Sequence, residues 1–441
     1  MLWFIIFSTP LMGRKQGYTV DANANFYLTK AMVQTGVLFP DIPVKQGFIY
    51  SIVFIPFYWV GDLLQSRFPE LPADYFPRVF LCWMNTVLTG LTVGVFSLLI
   101  RRFGFSLRAQ VWIPLMYGFS TFAFVYARYD YNKCLAAFFL LTAFYFWIAY
   151  QDEQNVLFLL VSGVFLGLLI TLRLEMGIVF PVWCYSTFHR IRQTRRKPSE
   201  LFALIIPVLF GFLFVYGYNR HYWQGGLQGG YETGFGLNPF PAMVGFLLSP
   251  GKSVFLFNPV LLLLPFVIRS FRNHSADGFR LWSGTVGFLF LLYCFWGNWW
   301  GGWGFGPRHL VPLLPLLMLP LAVVIDGDWL RYRLPLVLSG IIGFSIQLTG
   351  SAVAFTDVIY TLMKAEVTEP QLIWNPVWNP ILQHGLFLSH MPLPMWDFAL
   401  IAWSRIFPPF LFVSILLVWI FCLVAIGYRL IDSMRLEPAN L

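Results

Sequence analysis

Long apolar runs separated by short polar breaks dominate the chain. They fall at about 79–100, 109–126, 134–150, 156–172, 176–188, 201–218, 253–268, 281–296, 309–325, 334–354 and 406–428. Most approach the ~20 residues that an α-helix needs to cross ~30 Å of hydrocarbon. A backbone inside lipid must satisfy its polar groups within its own segment, so runs of this kind predict helices. The expectation is an all-α polytopic membrane protein, a single transmembrane domain over 1–441 with about 11–12 transmembrane helices. Residues 1–12, MLWFIIFSTPLM, supply the twelfth run but are short for a crossing, as a truncated start would be. A signal peptide is the competing reading, and the basic n-region that one carries is missing.

One segment controls the topology. GFIYSIVFIPFYWVGDLL, residues 47–64, is long enough to span, yet it carries Pro56 at its middle and Asp62 near its end. If it does not span, the basic loops RRFGFSLR (101–108), HRIRQTRRK (189–197), RSFRN (269–273), RYR (331–333) and the tail with Arg429 and Arg435 share one side. The positive-inside rule makes that side cytoplasmic. If it spans, all of them move outside. The first arrangement is preferred, with 47–64 as an interfacial helix whose Tyr50, Tyr58 and Trp59 suit headgroup depth. Three larger outer segments follow, the first outer loop at 13–78 and the loops at 219–252 and 355–405, and function is sought there.

Composition agrees with this class. Of the 441 residues 58% are hydrophobic and only 11% are charged, too few to cover a water-facing surface. The formal net charge of +9 comes from Lys and Arg in the short loops, so no nucleic-acid partner is expected. The five cysteines, Cys82, Cys134, Cys184, Cys294 and Cys422, lie in apolar runs without paired spacing, which suggests neither a zinc site nor a disulfide framework.

The chemistry-bearing residues gather at the predicted outer ends. WWGGWGFGPRHLVPLLPLL, residues 299–317, brings three tryptophans and a glycine-rich turn to Arg308 at the mouth of an apolar run. Glycines allow close approach of the backbone, and a guanidinium can hold phosphate oxygens bidentately. Trp299, Trp300 and Trp303 suit either an interfacial belt or stacking against a sugar or isoprene. Lys252 in SPGKS lies at another outer mouth and can share the same anion. It is not part of a Walker loop, which would require glycine where Phe246 stands.

Asp21 opens DANANFYLTKAMVQTG, which reads as a helix with Asp21 as N-cap and Gly36 just past its end. Its carboxylate suits either capping alone or a base near an acceptor hydroxyl. Lys45 precedes the interfacial helix, where a snorkelling anchor is the plain reading. Asp130, in ARYDYNK, has Arg128 and Lys133 as neighbours for a surface ion pair. Arg173 and Glu175 in TLRLEMG sit at membrane depth, where charge is costly and usually lines a cavity. Two residues apart on a helix they face different ways and are not natural partners. The glycine-rich YNRHYWQGGLQGGYETGFG, 218–236, reads as a mobile outer loop offering His221 and Glu232 to a sugar. The six histidines show no metal-binding spacing. No cofactor is called for, although carboxylates leave room for a divalent metal. The NHS sequon at Asn273 falls on the cytoplasmic side and reads as chance.

In their order along the chain, YTVDANANFYLTKAMVQTG, VKQGFIYSIVFIPFYWVGDL, SPGKSVFLFNP and GGWGFGPRHLVPLLPLL resemble the bacterial GT-C superfamily of polytopic glycosyltransferases. Its relatives include the protein O-mannosyltransferases and the lipid A aminoarabinose transferases. The resemblance implies a GT-C-like bundle, interfacial helices in the first outer loop, and a polyprenyl-phosphate-linked sugar as donor. It also implies a plasma (inner) membrane location with the site on the periplasmic or extracellular face, membrane lipid as a partner, and a glycan, lipid or protein acceptor. In that pattern Asp21 takes the catalytic place, Lys45 that of a carrier-phosphate lysine and Asp130 that of an Asp carried by several relatives, while the residues themselves offer Arg308 as a second phosphate ligand and Arg173, Glu232, Lys252 and Trp303 as substrate contacts. The better-known members often carry Asp-Glu where this chain has Asp21-Ala22, which weakens assignment to the mannosyl or aminoarabinosyl branches. A lipid-carrier or small-molecule transporter is the main rival reading. It would place key charges near the membrane midplane and often shows internal repeats, and no repeat is visible. A non-catalytic carrier-binding subunit and an O-antigen ligase or polymerase are further alternatives.

Overall fold

A computed structural model describes residues 20–45, 47–129, 131–227, 234–327 and 329–390, with 413, 414 and 417. The predicted run at 406–428 and residues 1–12 lie almost wholly outside the described residues, as do Asp130 and Glu232. Among the described residues the chain is helical, and its only extended pairing is an isolated antiparallel bridge between Phe235 and Trp296. It is a polytopic helical membrane protein. Seven of the described helices are long and apolar enough to cross a bilayer.

Apolar runs free of proline become single helices. The run at 156–172 is the helix Val156–Leu172, and those at 79–100, 134–150 and 281–296 lie within or closely against Tyr75–Arg102, Lys133–Glu153 and Ala276–Phe295. Proline-rich runs are broken instead. From Arg308 to Asp326 the path alternates 3-10 and α turns, with Pro312, Pro315 and Pro320 each withdrawing a backbone donor. The 253–268 run divides in the same way into Val254–Phe257, a 3-10 turn opened by Pro259, and Leu264–His274.

The segment 47–64 forms one continuous helix, Phe48–Gln65, through Pro56. It is among the seven by length and apolarity, and these properties suit a crossing and an interfacial position alike. Tyr50, Phe54 and Tyr58 are buried on its packed side, while Trp59, Val60 and Leu63 stay exposed. The preceding helix, Val20–Thr35, includes Asp21 within its helical run. The helix begins at Val20, one residue ahead of the Asp21 start that the sequence predicts. Gly36 does terminate the helix as the sequence predicts, with φ of 70° and its amide donating to Met32 O at 3.0 Å.

Close helix packing fixes the middle of the bundle. Val156–Leu172 and Leu201–Trp223 approach through Gly163, Gly167 and Gly211, and a Cβ on Gly167 would stand 2.5 Å from Pro207 O. Small residues four apart allow such an approach in lipid, where helix association depends on packing rather than on release of water.

The two ends of the bundle differ chemically. At one end the arginines of the predicted basic loops find carboxylate partners: Arg102 pairs with Glu153 at 2.8 Å, Arg190 with Asp277 at 3.6 Å, and Arg196 with Glu200 at 2.8 Å. Asp326 closes this end by accepting from Ser106 N at 2.6 Å. Lys45, Arg173, Lys252 and Arg308 all belong to the opposite end.

Candidate active site

The opposite end is built around the turn Tyr131-Asn132-Lys133, which heads the helix Lys133–Glu153. Its anchor is Asn85, a fully buried polar residue in the middle of an apolar helix. Asn85 Nδ2, with two N–H donors to share, lies 2.8 Å from Tyr131 O and 3.2 Å from the Tyr50 hydroxyl, and closest to Tyr129 O. One amide thus ties the turn to the helix Phe48–Gln65. That helix is in turn tied to Val20–Thr35, because Ser51 Oγ donates to Asn25 Oδ1 at 2.9 Å and Thr29 Oγ1 to Ser51 O at 3.0 Å. Arg78 lies over the Phe26 ring at 4.3 Å and donates to Asn23 Oδ1 at 2.9 Å. The backbone of Asp21 is one turn from these contacts; its side chain is outside the described residues.

Arg308 approaches the same turn from the second half of the chain. Its guanidinium carbon stands 5.3 Å from the Tyr131 ring centroid, and Nη1 is 3.4 Å from the phenol oxygen. Its Nε is buried without an acceptor among the described residues. Gly301, at φ of 69°, lies so close that a Cβ there would stand 2.7 Å from Arg308 Cγ. His309 sets the next layer: Nε2 is 3.1 Å from Asn298 O, which requires a proton on Nε2, and Nδ1 then faces Lys133 Nζ at 3.5 Å.

On the other side of the turn, Asn132 Oδ1 accepts from Arg173 Nη1 at 3.2 Å. Arg173 also forms an ion pair with Glu175. This corrects the expectation that the two face apart, which presumed a continuing helix. The helix ends at Leu172, Arg173 is extended with φ of −150° and ψ of 95°, and Leu174–Val179 is a 3-10 turn. Both side chains line a cavity of 530 Å³, together with Lys45, Tyr218, Asn219 and Trp296. Lys45 is exposed and stands 5.9 Å from the Trp223 ring. An apolar groove of 540 Å³ adjoins it, sharing Phe48, Thr171 and Phe214 with the cavity wall.

Lys252 behaves differently from the other cations. It is fully buried, and its ammonium donates to Gly302 O and Gly304 O at 2.8 Å each and to Gly306 O at 3.3 Å. Burial pulls its pKa from 10.5 down to about 7, the Arg308 charge adds to that, and Glu369 opposes it. Trp303 packs against an apolar cluster of Val353, Val358, Leu362, Val367 and Leu372, away from the cavity. His384 seals the neighbouring Phe305 edge to face at 5.0 Å, and burial, with the Arg128 charge second, lowers its pKa to about 3.

Of the residues singled out by sequence, Lys45 and Arg173 share the cavity, Arg308 is joined to it through the Tyr131-Asn132 turn, and Lys252 stands behind Arg308. Asn85, Tyr131 and Asn132 were not singled out, although an asparagine inside the apolar run CWMNTVLTG is the kind of intramembrane polar residue that signals a structural or functional contact. Among the described residues no three His, Cys, Asp or Glu side chains gather as a metal site would require.

The fold and its polar end define a polytopic helical membrane protein of a known architecture. It is similar to that of ArnT from Cupriavidus metallidurans. The structure of ArnT bound to undecaprenyl phosphate is similar with a TM-score of 0.56 at 13% identity, over 92% of this chain and 76% of ArnT. The apo structure of the same protein gives 0.54 at 12% identity, over 91% and 75%. At such identity the likeness is one of fold. No family model and no curated relative matches the sequence.

Proposed function

We propose that this protein is a membrane glycosyltransferase that moves a sugar from a polyprenyl-phosphate carrier to an acceptor hydroxyl. The observation that carries the reading is the junction of a cation-lined polar cavity with an apolar groove, in a chain that has the ArnT fold. A lipid-linked sugar has that same division, a polar head on a long apolar tail. The groove beside Phe48 and Phe214 takes the isoprene chain, and the cavity takes the sugar and phosphate. Its end of the bundle is opposite the basic loops, hence the periplasmic or extracellular face of the plasma membrane under the positive-inside rule.

Transfer requires the acceptor oxygen to attack the anomeric carbon while the carrier phosphate departs. Lys45 and Arg308 stabilise the phosphate as its charge develops, assisted by Arg173 from the cavity wall. Asp21 accepts the acceptor proton. Asp130 and Glu232 serve as substrate contacts, Glu232 with the sugar. Trp303 supports the loop that presents Arg308. The acceptor is a glycan, a lipid or a protein hydroxyl.

The test incubates the purified protein with radiolabelled polyprenyl-phosphate sugars and compares wild type with Asp21→Asn and Arg308→Ala. The reading expects loss of transfer in both, with carrier binding retained in Asp21→Asn. Transfer by neither wild type nor variants, with carrier carried across proteoliposome membranes instead, would establish a transporter.

A further inference from the structure

We propose that Lys252 is a positioning residue whose ammonium holds the glycine loop 301–306 in the shape that presents Arg308. The inference rests on the reading of Arg308 as a phosphate ligand, and it assigns Lys252 a different task from sharing that anion.

Three carbonyls from alternate residues, Gly302, Gly304 and Gly306, converge on one nitrogen. An ammonium has three N–H donors, so this set uses all of them and leaves none for a ligand. A buried lysine ordinarily needs an anion to offset its desolvation. Among the described residues no carboxylate forms an ion pair with Lys252, and the partial charges of three aligned carbonyls take that part.

The loop is gripped from both sides. Its carbonyls turn inward to Lys252, while Phe305 packs outward against Phe257 at 4.9 Å and Trp303 against the Val353 cluster. The bends that bring the three carbonyls onto one nitrogen place Gly302 and Gly306 at φ of 68° and 71°, in the left-handed region that favours glycine. The Arg308 side chain then lies along Gly301 and Gly304, the strand of loop that Lys252 fixes.

Lys252 is itself held rigidly. Its amide donates to Ser249 Oγ at 3.0 Å, Gly251 N donates to Ile373 O at 3.0 Å, and Asn379 Nδ2 donates to Pro250 O at 2.8 Å. The late outer segment around 369–380 therefore braces the lysine, the lysine braces the loop, and the loop aims the guanidinium.

Hydrogen exchange and a double-mutant cycle test this. Lys252→Met should speed exchange of the amides in 300–307 while leaving those of Tyr75–Arg102 unchanged. It should also lower transfer roughly tenfold or more, since a misplacement of about 1 Å at a catalytic group can cost on the order of a hundredfold. The fall should appear mainly in kcat, should be largely restored by Lys252→Arg, and should vanish in an Arg308→Ala background. Unchanged exchange, or a loss of the same size with and without Arg308, overturns the proposal. Arg308→Ala that binds undecaprenyl phosphate and turns over like wild type would instead remove the phosphate reading, while exchange still decides the bracing. Lys252→Gln replaces the methionine variant if that one fails to fold.

Discussion

Arg308 and Tyr131, 177 positions apart in the chain, meet face to edge of charge: the guanidinium carbon is 5.3 Å from the ring centroid and Nη1 3.4 Å from the hydroxyl. The ring offers a broad π-face, whereas the hydroxyl contact is long. Cation–π attraction contributes about 1–2 kcal/mol when desolvated, so the ring should matter more than its oxygen. Tyr131→Phe should retain transfer within about threefold of wild type, while Tyr131→Ala should lose on the order of tenfold. Equal losses in the two variants would show that the hydroxyl, and not the π-face, holds Arg308.

The Arg173–Glu175 pair closes one wall of the cavity, with side chains 9% and 16% exposed. Removing one member of an enclosed ion pair costs about 3–5 kcal/mol, and access of water from the cavity reduces that here to roughly 2 kcal/mol. Glu175→Gln should lower the thermal midpoint in detergent and, under the proposed function, weaken carrier-phosphate binding, because Arg173 then loses its carboxylate partner. The exchanged pair Arg173→Glu with Glu175→Arg should recover part of the stability but not the binding. A midpoint equal to wild type in Glu175→Gln would mean that the pair contributes nothing to the fold.

Asn85 Nδ2 lies within hydrogen-bond reach of Tyr129 O, Tyr131 O and the Tyr50 hydroxyl. Asn85→Leu fits an apolar helix and leaves those carbonyls without their donor, at about 1–3 kcal/mol for a buried unsatisfied group. The variant should fold with a lowered midpoint and lose transfer by more than its stability loss explains, because the turn carrying Asn132 and the Tyr131 ring is freed. Full activity in the folded variant would show that the turn is held by its other contacts.

How far the sequence reached can be judged from these same residues. Apolar run length predicts Val156–Leu172 to the residue, and the basic loops predict which ends of the helices come together, because hydrophobicity and charge act segment by segment. Proline spacing explains the broken path from Arg308 to Asp326 only once its alternating turns are seen. The Arg173–Glu175 pair was hidden by the assumption that the helix continued past Leu172. The partners of Lys252 had no signature, since a backbone carbonyl is present at every residue and only the turn decides which of them converge. Lys45 and Arg308 were legible as cations at the ends of apolar segments and Arg173 as a charge at membrane depth; the turn at Tyr131-Asn132 that relates them was not.

Lys252 also makes opposite predictions for stability and for activity as pH changes. Its folded pKa is about 7 against 10.5 for an ordinary lysine, lowered by burial and by Arg308 and raised by Glu369. Between those values the unfolded chain binds more protons than the folded one, so stability rises with pH across that window and the cost of the buried charge is complete below it. Transfer should move the other way. A neutral amine has two N–H donors for three carbonyls, so the loop slackens and Arg308 loses its aim as pH passes about 7. Wild type should therefore gain thermal midpoint relative to Lys252→Met between about pH 7 and 9 while its kcat declines, and Lys252→Arg, which keeps its charge, should lack that decline. Thermal unfolding and kcat profiles over the same buffers measure both limbs. Superimposable kcat profiles for wild type and Lys252→Arg would show that protonation of Lys252 has no part in holding the loop.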